Sequence, residues 1–186
     1  MNEYRRQLIA HYESVWLSTA EPKTWARGPV QDFPASFCIL EFQPAENRPF
    51  WAYATCGMSA RADRGAIELH LFSQTPDDAH VELLTAVAHY HLTGVALGLS
   101  DTLNFGRPWF ARSACDHGLI SLPYLDGPDL ELFRGTSDSS KARCLWLIPI
   151  TRIERDFKKE HGIEELERRF EESQFDYLDP QRSSVV

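Results

Sequence analysis

"CLWLIPITRIERDFKKEHGIEELERRF", residues 144–170, contains the change of period that decides the fold. Residues 144–150 form an apolar run of the length expected for a buried strand. Thr151 follows, three residues before Glu154, which is the spacing of a capping box. It predicts a helix that begins at Arg152 and ends near Gly162. Ile163, Leu166 and Phe170 then fall on one face of a further short helix. A buried strand that feeds straight into two amphipathic helices implies a sheet with helices laid across it.

Upstream, "SFCILEF" (36–42), "WAYATC" (51–56) and "IELHLFS" (67–73) are rich in β-branched and aromatic residues and read as three strands. In the third, Ile67, Leu69 and Leu71 point one way and Glu68, His70 and Phe72 the other, which predicts a mixed, partly exposed face for His70. Tyr4, Leu8, Ile9, Tyr12, Val15 and Trp16 recur at helical spacing, so an amphipathic helix is expected over about 3–18. Pro22, Gly28, Pro29 and Pro34 predict a loop over about 19–36. Thr75 or Asp77 can cap a helix over 78–91, in which Val81, Leu84, Val87, Ala88 and His91 share a stripe opposite Glu82, Thr85 and His89.

Downstream, "GLSDTLNFGRPWF" (98–110) reads as a packed surface loop. "GLISLPYL" (118–125) and "LELF" (130–133) read as short strands, and "TSDSSKAR" (136–143) as a mobile hairpin tip. Strands and helices do not alternate strictly along the chain, which disfavours a doubly wound parallel sheet. The expected fold class is α+β: one domain over residues 1–186, with a mostly antiparallel or mixed β-sheet covered by α-helices.

With 19 basic and 27 acidic residues the chain carries a formal charge of −8, which repels nucleic acid and attracts a basic protein partner. No apolar run reaches the roughly 18 to 20 residues of a membrane span, and the N-terminus leads into an amphipathic segment, so no membrane association is expected and the location is cytoplasmic. Cys38, Cys56, Cys115 and Cys144 are dispersed in apolar surroundings, as buried reduced thiols are.

The usual nucleophile-elbow, phosphate-loop, dinucleotide and zinc-protease motifs are all missing from the sequence. The histidines of "AHYHLTG" (88–94), His89 and His91, lie about 200° apart on a helix and cannot chelate one ion. Acid–base candidates are His70, His80, His117 and His161 with Asp77, Asp78, Asp101 and Asp116. Asp116-His117-Gly118 reads as a turn rather than a dyad, and Asp77 and Asp78 as helix N-terminal charges. The run 154–173 reads as a solvated face laced with ion pairs. Trp109 and Phe110, beside Pro108, divide between core packing and exposed anchors.

Taken in order, "IELHLFS", "ELLTAVAHYHLTGVALGLSDTL" (82–103), the segment 144–170 and "LDPQRSSVV" (178–186) resemble the suppressor-of-fused family in its short bacterial single-domain form, over roughly residues 37–186. The resemblance implies a mixed α/β fold, no enzymatic activity, and neither metal nor cofactor. It also implies binding of a protein or extended peptide, since the animal member grips a peptide as an added strand between two domains. Tyr90 matches a tyrosine at the end of the equivalent helix, and Asp101 a peptide-contacting aspartate once a one-residue gap is allowed. With Trp109, these are the candidate partner-binding residues. For the bacterial form the resemblance implies an immunity protein that neutralises a toxin, here a basic toxin domain, or else a regulatory scaffold. The alternative is a metal-dependent or His/Asp-based hydrolase built on His70, His80, His89 or His117.

Overall fold

The computed structural model describes residues 3–28, 30–60, 65–136 and 141–186. The chain runs α1 (Glu3–Trp16), β1 (Ala20–Lys23), β2 (Cys38–Phe42), β3 (Trp51–Cys56), β4 (Ile67–Ser73), α2 (Asp78–Thr93), β5 (Thr102–Asn104), β6 (Cys115–Ser121), α3 (Pro128–Glu131), β7 (Leu132–Arg134), β8 (Lys141–Thr151), α4 (Arg152–His161) and α5 (Ile163–Ser173). The strands form one eight-stranded sheet in the order β1-β2-β3-β4-β8-β6-β5, with β7 paired to the start of β8. Every pairing is antiparallel except β4 with β8, whose connection carries α2 and the strands between. This is the expected α+β class, and the capping box is in place: Thr151 accepts from the Glu154 N–H at 3.1 Å, and Glu154 from the Thr151 N–H at 2.7 Å.

Both faces of the sheet are covered. Cys144, Trp146, Ile148 and Ile150 of β8 pack under α1 and α5 with Leu8, Tyr12, Trp16, Leu166 and Phe170. Leu145 and Leu147 face the other way, against Val81, Leu84 and Val87 of α2. The central strands are therefore buried on both sides, as in any helix–sheet–helix stack. This corrects the reading of His70, which lies not on a mixed surface but wholly inside, because α1 closes the face that alternation alone assigns to solvent. Thr85, expected on the open side of α2, is also buried.

Other expectations are corrected by local chemistry. The loop over 19–36 contains β1, a four-residue edge strand on which Pro22 is tolerated because an edge position does not need every N–H. "LELF" is not a strand: Pro128 sits at the start of a helical turn that ends at Glu131, and only from Leu132 does the chain join β8. Asp116-His117-Gly118 lies within β6, with an irregular register at Asp116, rather than in a turn. Of the tip expected over 136–143, residues 137–140 lie outside the described residues. The four cysteines are free and buried, Cys38 directly opposite Cys56. Among the described residues no helix is long and apolar enough to cross a membrane.

Candidate peptide-binding edge

The path of the sheet ends at β5, a strand made from the middle of the expected loop. Asp101 accepts from the Ile120 N–H and the Phe105 N–H donates to Asp116, each at 2.9 Å, so the odd positions of this segment face β6. By the alternation of an antiparallel ladder, Thr102 and Asn104 turn their backbone groups away from it. A Cβ on Gly118, opposite Leu103, would lie 2.7 Å from both Leu147 and Phe105, so the glycine lets the Phe105 ring lie close over β6.

Between this edge and α2 runs a groove of about 300 Å³ whose walls include Leu83, Val87 and Tyr90 on one side and Thr102, Leu103 and Phe105 on the other. Asp77 caps the N-terminus of α2 by accepting from the Ala79 N–H at 2.7 Å, and Gly94 closes its C-terminus by donating to Tyr90 O at 2.8 Å. Tyr90 lines the groove with 45% of its surface exposed. Asp101, exposed and one residue before β5, accepts from the Gly98 N–H at 2.8 Å through one carboxylate oxygen. Ser100 before it adopts φ 68°, a left-handed conformation seldom taken by a serine.

The histidines divide by burial. His89 reaches outward to Asp32 at 3.0 Å, while His91 is fully buried, and its Nδ1 accepts from the Leu97 N–H at 3.0 Å. His91 is thus a latch that ties the loop before Asp101 to α2 from the inward stripe on which its spacing places it. His80 bonds Ser73 at 2.9 Å beneath Trp109 and Phe110. Trp109, a candidate exposed anchor, is 3% exposed and serves as a prop for His80. Of its two readings, burial supports core packing and corrects the exposed anchor. His117 pairs with Asp116 at 2.6 Å, and His161 lies at the surface against Phe157. These histidines do not converge, and among the described residues no group of three His, Cys, Asp or Glu side chains is placed to hold a metal ion.

His70 carries a consequence for stability. Neither ring nitrogen has a partner among the described residues, and burial, helped by the charge of Arg48, lowers its pKa to about 3. Burial likewise lowers that of His80 to about 4. An unfolded histidine takes up a proton near pH 6.5, whereas these two do not. The stability they preserve above that pH is therefore lost on acidification towards 3 to 4, by up to about 1.4 kcal/mol per pH unit for each ring. Urea midpoints at pH 7, 6 and 5 should fall steadily, and His70→Phe should flatten the slope; an unchanged slope in that variant would refute the assignment.

With the geometry in view, comparison with known proteins places the chain. The family model described as Suppressor of fused protein (SUFU) matches residues 34–183, and the chain belongs to that family. A crystal structure of a suppressor-of-fused homologue from Neisseria gonorrhoeae is similar at 32% identity and a TM-score of 0.84, covering 98% of this chain and 97% of that one. The Sufu–Fu complex structure shares the fold at 13% identity and a TM-score of 0.70, covering 98% of this chain and 92% of the other; that Sufu binds a protein, Fu. Drosophila Suppressor of Fused shares it at 14% identity and a TM-score of 0.67, and this chain spans 51% of that longer one and 98% of its own length. A search of curated proteins returned no match.

Proposed function

We propose that the protein is a non-catalytic binding module that takes an extended segment of a protein partner along β5, with Tyr90 and Asp101 as the side chains that fix it. The observation that carries this reading is the meeting of a sheet edge, unpaired among the described residues, with a groove that holds an exposed tyrosine. In strand addition the backbone supplies affinity and adjacent pockets supply specificity. The two ends of the strand path are built differently. β1 is blunted by Pro22 and Lys23, whereas β5 carries neither proline nor charge.

The partner class this reading favours is a basic domain, drawn by the charge of −8, and the role is that of a cytoplasmic immunity protein occupying a toxin. A tagged pull-down, with mass spectrometry to identify what is retained, tests both parts. One stoichiometric partner is expected on the parent, lost on Tyr90→Ala and Asp101→Ala, with the tyrosine costing about 2 kcal/mol as a central contact. Asn104→Pro should abolish capture without disturbing the β5–β6 pairing, since the Asn104 N–H points away from β6. Retention of the partner on all three variants would remove the edge site. A partner that is not basic, or an association rate indifferent to salt, would remove the toxin reading while leaving the edge site intact.

A further inference from the structure

On the opposite face of the sheet, a cavity of about 380 Å³ opens between β8 and α5. Its floor is Trp146 and Ile148, and its aromatic walls come from Phe170, Phe175, Tyr177 and Tyr124. Four of the rings form a continuous set, with Trp146 to Tyr177 edge-on at 5.2 Å, Tyr177 to Phe175 at 6.2 Å and Phe175 to Phe170 stacked at 4.3 Å. Two carboxylates, Glu167 and Glu171, stand at the rim. Glu167 accepts from the hydroxyls of Ser121 and Tyr124, each at 3.2 Å, and neither glutamate has an ion-pair partner among the described residues.

The nearby cations are otherwise engaged. Arg168 and Arg169 turn to Glu165 and Glu172, and Arg182, whose guanidinium lies over Phe175 at 5.1 Å, is neutralised by Glu154 at 2.6 Å. The cavity therefore combines ring faces, which attract a cation, with two carboxylates that form no ion pair among the described residues. Burial, and then the charges of Glu167 and Glu171, raise the pKa of Tyr124, so the field of the carboxylates reaches the cavity wall. Of the lining residues, Tyr124 and Leu125 are 58% and 47% exposed and form an apolar shelf larger than a small ammonium ion would use.

We infer that this cavity receives a lysine or arginine side chain of a protein partner, its stem against the aromatic walls and its charge between Glu167 and Glu171. The site is on the far face from β5 and does not depend on the edge reading. A large apolar and aromatic lining with a few polar groups at the rim is the usual form of a ligand pocket, and this volume lies within the usual range.

The test uses the whole chain, isotopically labelled, and follows the Trp146 indole N–H and the Leu125 methyls by NMR at low salt. The probes are the peptide acetyl-Gly-Gly-Lys-Gly-Gly-amide, its norleucine counterpart, and methylammonium chloride. Saturable shifts confined to this cavity are expected with the lysine peptide. They should weaken roughly tenfold in the Glu167→Gln/Glu171→Gln double variant, which keeps an acceptor for Ser121 and Tyr124, and stay unchanged in Glu160→Gln, an exposed carboxylate on α4. Equal binding of the norleucine peptide would overturn the cationic assignment, and equal binding of methylammonium would overturn the protein source. Shifts scattered over the acidic surface, or untouched by the double variant, would overturn the site.

Discussion

Replacing Arg182 by leucine is expected to destabilise the protein by about 3–5 kcal/mol, the usual cost of leaving one member of a buried ion pair alone. Arg182 lies near the end of the chain, where substitutions are ordinarily cheap, yet it is 8% exposed and its partner Glu154 is wholly buried. The guanidinium grips both carboxylate oxygens, at 2.6 and 2.9 Å, and donates also to Pro149 O at 3.0 Å. The same carboxylate closes the capping box of α4 and accepts from the Val185 N–H at 3.1 Å. One buried group thus joins the end of β8, the start of α4 and the C-terminal tail. Urea unfolding of Arg182→Leu measures the cost, and Glu154→Gln/Arg182→Leu separates its causes. The double variant removes the stranded charge and keeps a cap acceptor, so it should be the more stable of the two. A double variant as unstable as the single one would show that lost tail packing, not an uncompensated charge, sets the loss.

The segments that proved legible in the sequence were those whose side-chain pattern and backbone chemistry agree. β2, β3 and β4 are apolar and β-branched between turn residues, α1 repeats its apolar residues every turn, and Thr151 and Glu154 mark the start of α4 whatever lies around them. What escaped reading depends on contacts made far along the chain. β1 is polar and holds a proline; it is a strand only because Glu21 and Pro22 lie beside Glu41 and Leu40. The burial of Glu68 and His70 requires α1 to lie across their face, and alternation within "IELHLFS" cannot report on a helix some fifty residues earlier.

The candidate edge divides in the same way. Tyr90 and Asp101 are candidates through family resemblance, and Tyr90 shares the groove wall with Leu83 of α2. Thr102 and Asn104 carry no signal of their own, because an unpaired edge is a property of the sheet order and not of the residues in it. Trp109 shows the converse limit: a tryptophan between proline and phenylalanine suits a surface anchor or a core prop equally well, and only the position of His80 beneath it decides.

Glu68→Leu is expected to cost about 3–5 kcal/mol, and Glu68→Gln about 2–3 kcal/mol, because bonds to a buried carboxylate are stronger than neutral ones and a group of buried donors would lose its shared acceptor. Glu68 has no exposed surface. One oxygen accepts from the N–H groups of Gly57 and Ser59 at 3.0 and 3.1 Å and from the Ser59 hydroxyl at 2.6 Å; the other accepts from the Thr55 hydroxyl at 2.6 Å and the Met58 N–H at 3.2 Å. Tyr4 of α1 donates to the first oxygen at 3.3 Å. Three successive backbone donors at the start of a short 3₁₀ turn form a concave anion site, here occupied by the chain's own carboxylate. A glutamine keeps the shape but presents an amide NH₂ to N–H donors on whichever side it turns. The loss should therefore be local as well as global. Hydrogen exchange at Gly57, Met58 and Ser59 should accelerate in Glu68→Gln beyond the change at Val81 or Leu84, which lie on the other face of the sheet. Uniform acceleration would mean that the carboxylate stabilises the whole domain without ordering this turn, and a glutamine variant as stable as the parent would mean that the donors find other partners.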